Sequence, residues 1–201
     1  MVYLDLKRPV FLVVAERFGI KVLRLMLDHH PAIAWRNEFE YAIDMLPAHG
    51  WPELQKYYDW LATHHIFQAS GAEINETLDY PSLVNDFFVQ HRERTGKPII
   101  GAKVNRRFER LRIWLDALSI RILRDSRDVA CSEIGMGWTG NPWSERWIES
   151  ERLWEHLTKV MSVECRVEIS SKNLLVSPKE ELTRICEFLG LSYTSKMMNY
   201  V

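Results

Sequence analysis

Arg124 and Ser132 stand eight positions apart in Leu123-Arg124-Asp125-Ser126-Arg127-Asp128-Val129-Ala130-Cys131-Ser132, directly after an apolar run of strand-forming type. A guanidinium at a strand end and a hydroxyl on the next helix can grip one phosphate together, since both donate to its oxygens. Arg-Asp-x-Arg-Asp also suits a solvated helix start whose charges satisfy one another. A second constellation, Arg17-Phe18-Gly19-Ile20-Lys21-Val22, follows the continuous apolar run 10–15 and leads into the periodic set Val22, Leu23, Leu25, Met26. Strand, turn and helix in that order aim main-chain N–H groups at an anion. The G-x-x-x-x-G-K-[ST] loop of ATP and GTP binders is missing, although Lys21 adds a point charge of the kind such loops use.

Glu38 follows the second predicted strand, 21 positions after Arg17. It suits either a general base or a first-turn helix residue stabilised by the dipole, with Glu40 as the alternative base. Partial desolvation by Trp35 or Phe39 would raise the basicity of its carboxylate. Lys103 ends the third apolar run in Gly101-Ala102-Lys103. It fits a solvated strand-end lysine or a cation aimed at transferring negative charge. Cys131, Cys165 and Cys186 lie far apart without metal-ligand spacing, and His64-His65 diverge on any helix, so no metal is expected and the cysteines read as reduced core thiols.

The elements that must position these residues alternate. Apolar runs at 10–15, 32–35, 98–102, 120–123 and 165–169 are separated by helical stretches at 21–29, 39–45, 83–94, 143–161 and 179–189. That order predicts an α/β fold with a mostly parallel central sheet flanked by helices. The segment 49–80 is the least regular, and its Trp51, Tyr57, Tyr58, Trp60 and Phe67 suit core packing or a substrate wall. With 201 residues and no low-complexity linker, one domain over 1–201 is expected. A net charge of −1 and no long basic block argue against nucleic acid as a partner. The one apolar run near the start is too short to span a membrane and lacks a cleavage pattern, so a cytoplasmic protein is expected. Oligomeric state is not legible.

The Arg124–Ser132 segment resembles the 3′-phosphate-binding segment of the sulfotransferases that use 3′-phosphoadenosine 5′-phosphosulfate (PAPS). Three further segments fall in that family's order: Glu16 through Leu23, Gly101-Ala102-Lys103, and Ser171 through Pro178 continuing to Cys186-Glu187-Phe188-Leu189-Gly190-Leu191. Leu27-Asp28-His29-His30-Pro31 is similar to the Leu-Asp-x-His-Pro of the protein-tyrosine branch, and the pattern as a whole is closest to that and the bacterial-type branch. The resemblance implies a phosphate-loop-like three-layer fold and transfer of a sulfuryl group from PAPS to an acceptor hydroxyl on a small molecule, sugar or aromatic compound, leaving 3′,5′-adenosine bisphosphate.

By the same resemblance Arg17, Phe18, Gly19, Ile20, Lys21 and Val22 hold the 5′-phosphate, with Arg17 as the catalytic cation. Arg124 and Ser132 hold the 3′-phosphate, Lys103 contacts the sulfuryl group and Glu38 is the base. Phe18, Ile20 and Lys21 stand where the family's loop carries hydroxyls, and the chain ends at Val201 shortly after its last helix. Both features also fit an alternative, a relative that keeps the fold as a nucleotide-binding or interaction module. A kinase with an unusual phosphate loop is a third reading.

Overall fold

Val10–Val13 forms strand β1, and all four side chains are fully buried. An uninterrupted apolar run requires this of a strand covered on both faces. In the computed structural model, which describes residues 8–13, 20–105, 107, 110–111, 114, 116–134 and 143–200, β1 is the middle strand of a five-stranded sheet. The other strands are β2 (Ile33–Glu38), β3 (Ile99–Val104), β4 (Leu118–Leu123) and β5 (Arg166–Ser170), in the order β2-β3-β1-β4-β5. Every neighbouring pair is parallel, with Val13 level with Val104 on one side and Arg121 on the other.

Helices cover both faces. Helix α1 (Ile20–Asp28) buries Leu23, Met26 and Leu27, spaced as an amphipathic helix requires. Its end is tied to β2, because Lys97 Nζ donates to the carbonyls of both Asp28 (2.8 Å) and Ile33 (2.7 Å). Helix α1 packs in one layer with Val10, Leu12, Trp35, Ile120 and Ile122, and with residues of the later helix Pro178–Phe188. The opposite layer is aromatic: Phe11 and Phe39 meet Phe88 and Trp114, with Phe39 and Phe88 ring centroids 4.3 Å apart. This layer is built by α2 (Leu54–Thr63), α3 (His65–Ser70) and α4 (Tyr80–Thr95). Helix α4 is bounded by an Asp79 cap that accepts from Ser82 N and by Gly96 at φ 66°. After β4 come α5 (Ser126–Ile134) and α6 (Trp143–Val160), and after β5 come α7 (Ser171–Val176) and α8 (Pro178–Phe188). The three-layer α/β architecture is as expected, and no described helix is long and apolar enough to cross a membrane.

Several expectations need correction. The second strand runs on to Glu38 through Arg36 and Asn37 rather than ending at Trp35. The stretch 39–45 is no α-helix but a single 3₁₀ turn, Glu40–Ala42. Phe39, Tyr41, Ala42 and Ile43 are all buried, so no polar face exists for an amphipathic helix. The main chain there is satisfied from outside: the hydroxyl of Tyr57 donates to the Tyr41 carbonyl at 2.9 Å, and that of Tyr80 to the Ala42 carbonyl. The irregular segment contains two helices, α2 and α3, and Tyr57, Tyr58 and Phe67 are core residues while Trp51 is exposed. Cys165 and Cys186 are buried free thiols, but Cys131 lies exposed on α5 and is not part of the core.

Candidate active site at the carboxyl ends of the strands

From β1 the chain turns through α1 toward β2 and β3; from β3 it crosses to β4 and continues to β5. The winding therefore reverses between β1 and β4, and in an open parallel sheet ligands bind beyond the carboxyl ends of the strands at such a point. Among the described candidates, Glu38 ends β2, Lys103 lies near the end of β3 and Arg124 directly follows β4. Arg17, Phe18 and Gly19 lie outside the described residues, as does the side chain of Ile20. Ile20 opens α1, so the N–H groups of Ile20, Lys21 and Val22 belong to its first turn, the positive end of the helix dipole. Lys21 is exposed, whereas Val22 is half-buried against the core.

Glu38 and Lys103 are brought together. Lys103 Nζ lies 3.5 Å from Glu38 Oε1, with side-chain exposures of 16% and 41%. The contact depends on an irregularity in the β2–β3 ladder: Arg36 is level with Ala102, yet Glu38 is level with Lys103, so Asn37 is an extra residue on β2. Without it Glu38 would oppose Val104 and project from the other face. The N–H of Phe39 then closes on the Lys103 carbonyl at 3.2 Å. Lys103 is inside β3 rather than beyond it, and Glu38 is the last residue of a strand, not a first-turn helix residue. Gly101, two residues earlier, is required by packing, because a Cβ there would sit 2.5 Å from Trp35 Cζ3.

The expected desolvation of Glu38 is not found. Phe39 is in the aromatic layer and Trp35 presses on Gly101, leaving the carboxylate open to solvent. Glu40 has the opposite character: it is buried, Oε1 accepts from Asn105 N at 2.8 Å and Oε2 from Phe39 N at 3.1 Å. Burial pushes its carboxyl above the usual range, outweighing those main-chain bonds. Both oxygens are committed to closing the β2 and β3 ends, so Glu40 is a structural clamp.

On the other side of β1, Arg124 directly follows β4, and its carbonyl accepts from Trp147 Nε1 at 3.4 Å. Ser132 lies on α5, the next helix, although its side chain is outside the described residues. Arg127 pairs with Asp125 through Nε (3.0 Å) and Nη2 (2.7 Å), while Arg127 N–H also donates to Asp125 Oδ1 at 2.9 Å. These bonds to Arg127 bring the Asp125 carboxyl down to about 2. The mutually satisfied charges foreseen for Arg-Asp-x-Arg-Asp thus belong to Asp125 and Arg127.

A family model described as the sulfotransferase family matches residues 9–195, nearly the whole chain. The chain belongs to the sulfotransferase family. Solved sulfotransferases share its fold: a domain from the curacin biosynthetic pathway (16% identity, TM-score 0.68, covering 96% of this chain and 77% of that one) and a domain of the Synechococcus PCC 7002 olefin synthase (21%, 0.67, 98% and 78%). The mouse sulfotransferase SULT7A1, complexed with PAP, matches at 14% identity and TM-score 0.55, covering 96% of this chain and 62% of that one. No curated protein shows a significant sequence match. Within this member of the family, sequence reasoning missed two buried arginines, Arg36 on β2 and Arg121 on β4. Each is the polar member of an otherwise apolar alternation, Ala34-Trp35-Arg36 and Ile120-Arg121-Ile122, which was the available signal.

Proposed function

We propose that residues 1–201 form one domain that transfers a sulfuryl group from PAPS to a hydroxyl of a small-molecule, sugar or aromatic acceptor, with no metal. The observation that carries this reading is the extra residue in β2, which turns Glu38 to the level of Lys103 at the sheet end where α1 begins. The described parts of the site fit the donor: first-turn amides of α1 stand beyond β1 for a 5′-phosphate, and Arg124 and α5 stand beyond the adjacent β4 for a 3′-phosphate. PAP in the mouse neighbour is the product form of the same nucleotide. Three free cysteines suit a reducing, cytoplasmic setting.

In this reading Arg17, Phe18, Gly19, Ile20, Lys21 and Val22 hold the 5′-phosphate end, Lys21 supplying charge where the family has hydroxyls. Arg124 and Ser132 hold the 3′-phosphate. The bound donor supplies an activated sulfuryl group on a phosphate leaving group. Arg17 and Lys103 neutralise negative charge at the two ends of the breaking bond. Glu38, solvent-reachable and held toward the strand end by Lys103 Nζ, accepts the acceptor's hydroxyl proton at a carboxylate oxygen.

Calorimetric titration with 3′,5′-adenosine bisphosphate, adenosine 5′-monophosphate and ATP tests the donor assignment. Charge-assisted contacts to one phosphate are worth about 1.5–3 kcal/mol, so the bisphosphate should bind at least about tenfold more tightly than the monophosphate. Arg124→Ala should erase that preference. Equal affinities for the two would contradict the reading, and a preference for ATP would favour the kinase alternative.

A further inference from the structure

Arg36 lies two residues before Glu38 but on the other face of the sheet, level with Ala102 of the aromatic layer. It is 5% exposed. Its Nη1 donates to the Tyr41 hydroxyl, whereas Nε and Nη2 are buried and make no hydrogen bond. A guanidinium keeps its charge in a protein, and a buried charge without a counter-charge is strongly unfavourable. Tyr41 does not compensate, since burial pushes its phenol up and it stays protonated. The other group acting on Arg36 is Arg94, a second cation. Arg94 is itself occupied by main chain, with Nη1 on the carbonyls of Ser70 (3.0 Å) and Gly71 (2.9 Å) and Nε on that of Gln90 (3.2 Å).

His91, on α4, belongs to the same cluster: its Nε2 is buried and unbonded. Burial, then Arg36 and Arg94, bring its imidazole down to about 4, with the Trp35 main chain and Asp28 acting the other way. Buried Arg36, the half-buried neutral imidazole of His91 and the exposed Arg94 thus form one cluster, and among the described residues no carboxylate is hydrogen-bonded to Arg36.

The vacant atoms specify a ligand. Nε–H and Nη2–H form one edge of the guanidinium, two parallel donors that match a pair of oxygens on a carboxylate or sulfate. We propose that this edge of Arg36, with His91 Nε2 in the same cluster, is a binding site for an oxyanion, separate from the Glu38–Lys103 face and reached from the α3–α4 side. Residues 71–79, between α3 and α4, contain no helix or strand and are pinned to α4 by Gln90 Nε2 on the Glu73 carbonyl (2.9 Å) and by Arg94. Entry releases these few bonds. A bound anion also favours the imidazolium form of His91, so binding tightens as pH falls toward the His91 midpoint.

NMR titration of the wild-type His91 ring, in acetate, in sulfate and in chloride at matched ionic strength, reads the site directly. With an oxyanion bound the midpoint should move from about 4 to about 5 or above, and chloride should leave it in place. A larger response to acetate identifies a carboxylate-bearing ligand, and a larger one to sulfate identifies free sulfate or a sulfate ester. Thermal melts of Arg36→Met supply the second arm. Without an anion the variant should melt at or above the wild-type temperature, since an uncompensated charge is gone. It should also lose the wild-type gain, about 5–11 °C at a hundredfold excess of anion over its Kd. A His91 midpoint indifferent to both oxyanions, or moved equally by chloride, overturns the site. Such a failure leaves the nucleotide preference tested by Arg124→Ala untouched.

Discussion

Among the described residues, two ion pairs join neighbouring parallel strands of the sheet, and they are built in opposite ways. Arg121 of β4, with a side chain 6% exposed, bonds Glu168 of β5 at 3.1 Å and Glu151 of α6, and its guanidinium lies over Trp154, 5.1 Å from the ring centroid. Trp154 Nε1 in turn donates to Glu168 Oε1 at 3.2 Å. Glu38 and Lys103, at the other side of the sheet, share one 3.5 Å contact at an irregular strand end and remain reachable by solvent. A pair so exposed contributes about 0–1 kcal/mol to stability. The Arg121 network is framework, whereas the Glu38–Lys103 pair stays open to solvent and costs the fold little to keep.

The largest effect that would sharpen this contrast comes from stranding Arg121. Replacing both acids, Glu151→Ala with Glu168→Ala, leaves a buried charge uncompensated and should cost about 3–5 kcal/mol in denaturant unfolding. Arg121→Met, which removes the charge and keeps the bulk, should be far milder. Equal losses for the two variants would mean that packing, not charge, holds this corner.

Next in size is Glu40. Its pKa is higher folded than unfolded, so its contribution to stability is greatest at low pH and is lost as pH rises through the folded value. Glu40→Gln removes that dependence and replaces one of the two acceptor oxygens by an N–H donor facing Asn105 N–H or Phe39 N–H, of which Phe39 also reaches the Lys103 carbonyl, at a cost of about 1–3 kcal/mol. Unfolding at pH 5 and pH 8 should therefore show a loss in the variant and a flatter pH profile. An unchanged stability would remove the clamp role. Smallest is Glu38→Gln, whose stability should stay within about 1 kcal/mol of wild type; a larger loss would make the pair structural after all.

The contrast also shows what was legible in the chain. β1 was readable because a strand buried on both faces needs a continuous apolar run, and Val10–Val13 supplies one. β2 was cut short because Arg36, Asn37 and Glu38 are polar, and nothing local announces that a strand continues through an extra residue. Helix α2 was hidden by its aromatic residues, although Leu54, Tyr57, Tyr58 and Leu61 do repeat at helical spacing. Lys103 and Glu38 were each singled out, but their pairing depends on the register of parallel strands 65 residues apart, which no local pattern encodes. Arg36 and Arg121 stand out only as single charges within an apolar alternation, and nothing local gives a sign of their partners.

Turnover of radiolabelled PAPS against a panel of hydroxyl acceptors, by wild type and Glu38→Gln at matched folding, tests the central claim most directly. Gln is nearly isosteric with Glu but takes no proton, so the variant should bind 3′,5′-adenosine bisphosphate as tightly as wild type and transfer about 10²–10⁴-fold more slowly. A variant that keeps the wild-type rate would show that Glu38 is not the base. A wild type that binds the bisphosphate yet transfers to no acceptor would contradict the enzyme reading and leave a nucleotide-binding module in its place.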